Sequence, residues 1–247
     1  MRTTSVQTML PALWLLTGLP ALAETAQTEA AAEKPVKGRP AVHVTVVSHN
    51  EEPNGGRPDY AADRAYYLAN RRLVKLLAET ITSRGATFNF QSDWNYLVAV
   101  AKYDAGEVVK DTEGKNLIRW MTEDLGVEID PHAHETRYNY ADVAYLIEQL
   151  GVKPSGNVGG FLYDPPDNRQ GWEKLRNALR GKVYPDYSWR ADCLWGAATF
   201  QHRGNDERSS GAWRPKDRYH FTTDAPPQRL LYLGGGTSRP SIRGPSQ

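Results

Sequence analysis

Gly126-Val127-Glu128-Ile129-Asp130-Pro131-His132-Ala133-His134-Glu135 is the stretch on which the fold turns. Before it, Leu117, Met121 and Leu125 recur at helical spacing, and Gly126 reads as the helix stop. Val127 to Asp130 is short and extended. After it, Asn139 caps a helix carrying Val143, Leu146, Ile147 and Leu150, which Gly151 closes. Helix, strand and helix in direct succession form one step of a βα repeat.

The same rhythm extends in both directions. Toward the N-terminus, Val42 to Ser48 is β-branched and short, a buried strand ending at His49. Pro58-Asp59 signals a helix start, Tyr66, Ala69, Leu73, Leu76, Leu77 and Thr80 recur at helical spacing, and Gly85 stops the run. Ala86 to Gln91 alternates as a strand. Toward the C-terminus, Val158 to Leu162 reads as the next strand, Trp172 to Leu179 as a helix, and Leu194 to Phe200 and Leu230 to Leu233 as strands. Repeated βα units predict an α/β fold of about six parallel strands covered by helices, either an open doubly wound sheet or a barrel.

The ends are read differently. Residues 1–23 carry Arg2, an apolar run broken by Pro11, Gly18 and Pro20, and Ala21-Leu22-Ala23 before Glu24. That is the layout of a secretory signal cleaved after Ala23, too short and broken to span a bilayer. Residues 24–40, rich in Ala, Glu, Lys and Pro, read as a flexible linker, residues 41–233 as the folded domain, and residues 234–247 as a flexible tail. With Cys193 as its one cysteine, an exported chain has no internal disulfide, so stability must come from a core. Lys and Arg total 30 against 29 Asp and Glu. Arg2 is the single charge before residue 24, so 29 face 29 beyond it, and nucleic acid or an anionic membrane recruited by bulk charge is disfavoured as a partner.

In an extended chain, Asp130, His132 and His134 share one face, and two imidazoles on one face can chelate a metal. They lie at a strand's C-terminal end, where α/β sheets and barrels place their sites. Ser48-His49-Asn50-Glu51-Glu52 occupies the equivalent place after the first strand, with His49 and Glu51 on one face. The predicted ligands are His49, Glu51, His132 and His134, a set of borderline nitrogens and one oxygen that suits Zn²⁺ best, with Ni²⁺, Co²⁺ or Mn²⁺ as alternatives. The plainer reading makes these histidines hydrogen-bonded loop or core residues.

A general base must be a carboxylate within reach of the ion and not consumed as a ligand. Asp93, ending the polar row Asn89, Gln91, Asp93, is the first candidate and Glu135 the second. Asp93 reads equally as the N-cap of a helix over Trp94-Asn95-Tyr96-Leu97, and Glu135 as a cap or a partner of Arg137. Tryptophans with polar neighbours suit sugar faces or core packing. Trp94 and the loop Gly211-Ala212-Trp213-Arg214-Pro215, through Trp213 and Arg214, are the predicted substrate-binding residues. His43 reads as structural; His202 and His220 have no assignment. No phosphate loop or nucleophile elbow is present, and Cys193 is not read as a nucleophile.

These residues resemble the polysaccharide-deacetylase-like branch of the glycoside hydrolase/deacetylase barrels. Gly126 to His132 is similar to that family's G-x-E-I-(x)₂-H strand, whose His binds the metal, and the likeness covers roughly residues 41–160. His132 is the residue that carries over. Where the family's first strand ends in two Asp, this chain has His49-Asn50-Glu51-Glu52; where its second metal His follows four residues on, this chain has Thr136. The resemblance implies a distorted (β/α) barrel with long C-terminal loops. It also implies a divalent metal ion as cofactor and removal of N- or O-acetyl groups from a carbohydrate substrate, and the signal layout adds a secreted or periplasmic location. The rival readings are a non-catalytic carbohydrate-binding barrel and a barrel glycosidase or phosphoesterase; a glycosidase would pair Asp93 with Glu51 or Glu135.

Overall fold

The computed structural model describes residues 43–51, 53, 59–134, 137–160, 177–195, 210–217 and 223–235. The signal and linker readings, Glu135, Trp172, His202 and His220 lie outside the described residues. In chain order the elements are β1 (Thr45–Asn50), α1 (Arg64–Ser83), β2 (Thr87–Ser92), α2 (Trp94–Tyr103), a 3₁₀ helix (Gly106–Thr112) and α3 (Leu117–Leu125). Then come β3 (Glu128–Ala133), α4 (Tyr140–Gln149), β4 (Asn157–Gly160), β5 (Leu179–Arg180), β6 (Ser188–Trp189), β7 (Cys193–Trp195), β8 (Ser210–Trp213) and β9 (Leu231–Gly235).

Seven strands form one sheet in the order β1-β2-β3-β4-β7-β9-β8, all parallel except β8, which runs antiparallel to β9. The βα steps move one place along the sheet each time, giving a mixed α/β fold with a curled parallel sheet, a half-barrel, flanked by helices. β5 and β6 form a separate antiparallel pair. Among the described residues no helix is long and apolar enough to cross a membrane.

β2 and β3 are buried on both faces, so there alternation sorts chemistry rather than exposure, whereas β1, expected as a buried strand, is the sheet's edge and is half exposed. On β2, Phe88 and Phe90 enter the apolar core, Phe90 lying 5.8 Å from the Tyr96 ring on α2. Between them Asn89 and Gln91, equally buried, point to the opposite face. On β3, Ile129 joins the apolar side while Asp130 and His132 join the polar one. Asp130 there accepts hydrogen bonds from the Ser155 backbone N–H (2.8 Å), the Ser155 hydroxyl (2.8 Å) and Asn89 Nδ2 (2.6 Å). Burial raises the Asp130 pKa, and those donors oppose the rise.

Helix boundaries follow the capping residues. Asp63, Asn116 and Asn139 accept hydrogen bonds from first-turn backbone N–H groups, and Asn139 with Asp142 forms a reciprocal capping box. Gly126 ends α3 at a φ of 68°, a conformation that favours glycine. Arg71, buried on α1, donates to Asp104, Asp111 and Thr112, while Asp104 also accepts from Tyr67 Oη and the Leu117 N–H. This network binds α1 to the end of α2, the 3₁₀ helix and the start of α3.

Three expectations are corrected. The recurring residues Tyr66, Ala69, Leu73, Leu76, Leu77 and Thr80 do predict α1, but they face outward; Tyr67, Val74, Ala78 and Ile81 are the apolar residues it buries. Leu179 closes no helix: it opens β5 and pairs with Trp189, because the Leu179–Arg180 backbone finds its partners across a hairpin. The predicted tail starts too early, since Gly234 and Gly235 pair with Gly211 and Ser210 as part of β9.

Candidate metal centre

β1, β2 and β3 lie side by side with His49 in register with Gln91 and Gln91 with Asp130. His132 stands two residues beyond Asp130, in register with Gly159 on β4. This stagger brings the C-terminal ends of β1 and β3 together over β2. Ligand atoms of His49, Glu51 and His132 lie within 4.8 Å of one another, a group that can hold a metal ion. The His49 and His132 ring centroids are 4.2 Å apart, and His132 Nε2 lies 3.9 Å from Glu51 Oε1. An ion with bonds of 2.0–2.1 Å in tetrahedral geometry sets ligand separations of roughly 3.4 Å, so this spacing is close to what binding requires.

His132 is buried, Glu51 half-buried and His49 exposed, so the group opens toward solvent on one side. Although the His49 ring is exposed on its outer side, the protein packed around its inner side partly desolvates it and lowers its pKa; the Glu51 carboxylate and the Gln91 amide oppose that, and His134 adds to it. The net effect favours the neutral imidazole, which is the form that ligates metals. Gln91 reaches its place because β4 offers Gly159 beneath it: a Cβ there would sit on the Gln91 Oε1 atom.

His134 is close to the group without belonging to it. Its ring centroid is 4.8 Å from that of His132, and its Nδ1 faces Asp93 Oδ2 at 3.4 Å. Asp93 is the N-cap of α2, its Oδ1 accepting from the Trp94 N–H at 2.6 Å. The cap reading of Asp93 is the one the structure shows, with one oxygen holding the helix and the other turned to His134. Trp94, half-buried, stacks on Tyr138 at 4.8 Å between ring centroids and 20° between planes, and the Arg137 guanidinium lies 5.3 Å from its ring. This aromatic and cationic surface adjoins Asp93.

Trp213 does not reach the site. Expected in a substrate loop, it belongs to β8, is 2% exposed and packs 4.3 Å from the Tyr232 ring. Its indole is core because β8 pairs with β9 and turns that face inward. Arg214, next along, donates a hydrogen bond to the Arg229 carbonyl and is tied to Asp224 through its backbone N–H at 2.9 Å. Gly159, beneath Gln91, and Arg137 and Tyr138, beside Trp94, carry no binding role in the sequence reading. A glycine inside a predicted strand, the signal of close backbone or side-chain approach, was the clue for Gly159. Comparison of the chain with protein-family models, with curated proteins and with solved structures gives no match.

Proposed function

We propose that the chain is an exported, metal-dependent hydrolase acting on carbohydrate, similar to polysaccharide deacetylases and built on a distorted (β/α) barrel. The observation that carries this reading is the convergence of His49, Glu51 and His132 at the C-terminal ends of β1 and β3. Two imidazole nitrogens and one carboxylate oxygen, with an open side at His49, fit a catalytic site that keeps a position for substrate, and Zn²⁺ is the ion this donor set favours. A bound ion supplies Lewis acidity toward an acyl oxygen and a water molecule.

The chain's own residues supply the rest. Asp93 Oδ2 orients the His134 ring through Nδ1, so that the pair holds and moves a proton at the reacting group. Trp94, backed by Tyr138 and flanked by Arg137, offers a flat apolar surface with a cation at its edge, suited to a sugar ring with its hydroxyl rim. Secretion or periplasmic placement rests on the signal layout of residues 1–23.

The test is acetate release from a panel of acetylated glycans by the metal-loaded protein. Activity is expected to vanish in His132→Ala, and in Asp93→Asn, which preserves the helix cap, to fall about 100-fold in kcat with the metal retained. An intact, metal-loaded protein that releases no acetate from any glycan contradicts the deacetylase reading. Reducing sugar or phosphate among the products would assign the same centre to a glycosidase or a phosphoesterase.

A further inference from the structure

α1 carries two apolar faces, and β2, α2 and α3 cover one of them. On the other, Tyr66, Leu73, Leu76 and Leu77 are 44%, 65%, 59% and 42% exposed. A solvated helix face is ordinarily polar, and a contiguous apolar stripe on one marks a surface that meets something. The spacing says what. Tyr66, Ala69, Leu73, Leu76, Thr80 and Ser83 follow one another in alternating steps of three and four, the a and d positions of a heptad seam. Over the 20 residues of α1 the seam runs about 30 Å.

We propose that this seam joins two copies of the chain, with α1 packed antiparallel against α1 of the partner about a two-fold axis. Leu73 and Leu76 flank the middle of the helix, so a two-fold axis there sets Leu73 against the partner's Leu76. The next layers are then Ala69 against the partner's Thr80, and Tyr66 against the partner's Ser83. Such an interface is self-complementary, as a two-fold contact must be. The flanking charges choose the direction. Arg72 and Glu79 occupy g positions, and antiparallel pairing brings g against g, so Arg72 meets the partner's Glu79 twice. Parallel pairing would set Arg72 against the partner's Leu77, and Glu79 against Arg84, already the cap residue beyond the last turn. Opposed helix dipoles favour the antiparallel arrangement as well. Glu79 now pairs with Lys75 at 2.6 Å on its own helix, a half-exposed contact weak enough to share or exchange. This inference is independent of the metal centre and of its chemistry.

The experiment is the mass of the full chain by light scattering and sedimentation over roughly 1 to 100 µM, read as a dissociation constant. A dimer is expected, and Leu73→Glu with Leu76→Glu should leave a monomer with unchanged circular dichroism. Arg72→Glu and Glu79→Arg should each weaken the dimer about tenfold, and the two together should restore it to within about twofold of the original. Because both charged positions lie away from the core, this swap decides the question even if the double glutamate variant fails to fold. A wild-type chain that stays monomeric at the highest concentration overturns the proposal. So does a dimer indifferent to both the leucine and the charge substitutions.

Discussion

Asp142 and the group His49, Glu51 and His132 are both gatherings of polar atoms at the edge of the same core, and they are built in opposite senses. Asp142, fully buried, accepts from four backbone N–H groups, those of Asn139, Lys182, Val183 and Tyr184, each at 2.9 Å. Donors surround an acceptor, and the arrangement is complete in itself. At the ends of β1 and β3, by contrast, ligand atoms of two imidazoles and a carboxylate lie within 4.8 Å of one another, with His49 exposed. Each neutral imidazole carries one N–H and one lone pair, so the same group can pair internally or turn its lone pairs and carboxylate oxygen to a cation. The first cluster is saturated by the backbone and holds the fold; the second can take a cation.

Substitutions on the two sides should part accordingly. Asp142→Ala leaves four inward N–H groups without their acceptor and should cost about 4 kcal/mol of folding stability, with or without metal, in urea unfolding. His132→Ala should lower metal affinity by more than about 100-fold, measured by competition with a chelator, while changing the stability of the metal-free chain by less than about 1 kcal/mol. If His132→Ala instead destabilises the metal-free chain as much as Asp142→Ala does, the contrast between the two clusters fails. A smaller effect tests the support beneath the centre. Gly159→Ala should turn Gln91 away from His49 and weaken metal binding about tenfold. In the Gln91→Ala background the same change should add little, since Gln91 is what the new methyl strikes.

The smallest effect probes the sheet interior behind the site. Burial pushes the Cys193 thiol up to about 12, with Asp130 reinforcing and Arg214 opposing the shift. A raised pKa keeps the thiol protonated at pH 8, so labelling by a thiol reagent should be at least about 100-fold slower in the native chain than in denaturant. The same sign means that its contribution to stability is present below the unfolded thiol's pKa of 9.0 and is lost as the pH rises through about 12. Rapid native labelling would show that the polar interior around Asp130 is open to solvent.

The first four strands and the helices α1, α3 and α4 were legible because each is bounded by a residue with one local meaning: Asn139 as cap, Gly126 as stop, β-branched runs between them. His49, Glu51 and His132 were legible because strand alternation alone decides which side chains share a face. What local pattern could not supply was the direction of a face. Tyr66, Leu73 and Leu76 have helical spacing whether the core or a second molecule covers them, and Tyr67 and Val74, one residue on, form an equally good stripe. Trp213 was misplaced for the same reason, since its burial depends on β9 arriving beside β8 from elsewhere in the chain. His134 fell between the two cases: alternation put it beside His132, and only the turn into α2 shows that Asp93 claims its Nδ1.

The most direct measurement is metal content by elemental analysis of three purified proteins: the wild-type chain, His132→Ala and His134→Ala. About one divalent ion per chain in the wild type, lost in His132→Ala and kept in His134→Ala, is the result predicted by the proposal that His132 ligates the ion while His134 serves Asp93. No ion in the wild type even after reconstitution, or equal loss in both variants, would contradict the account.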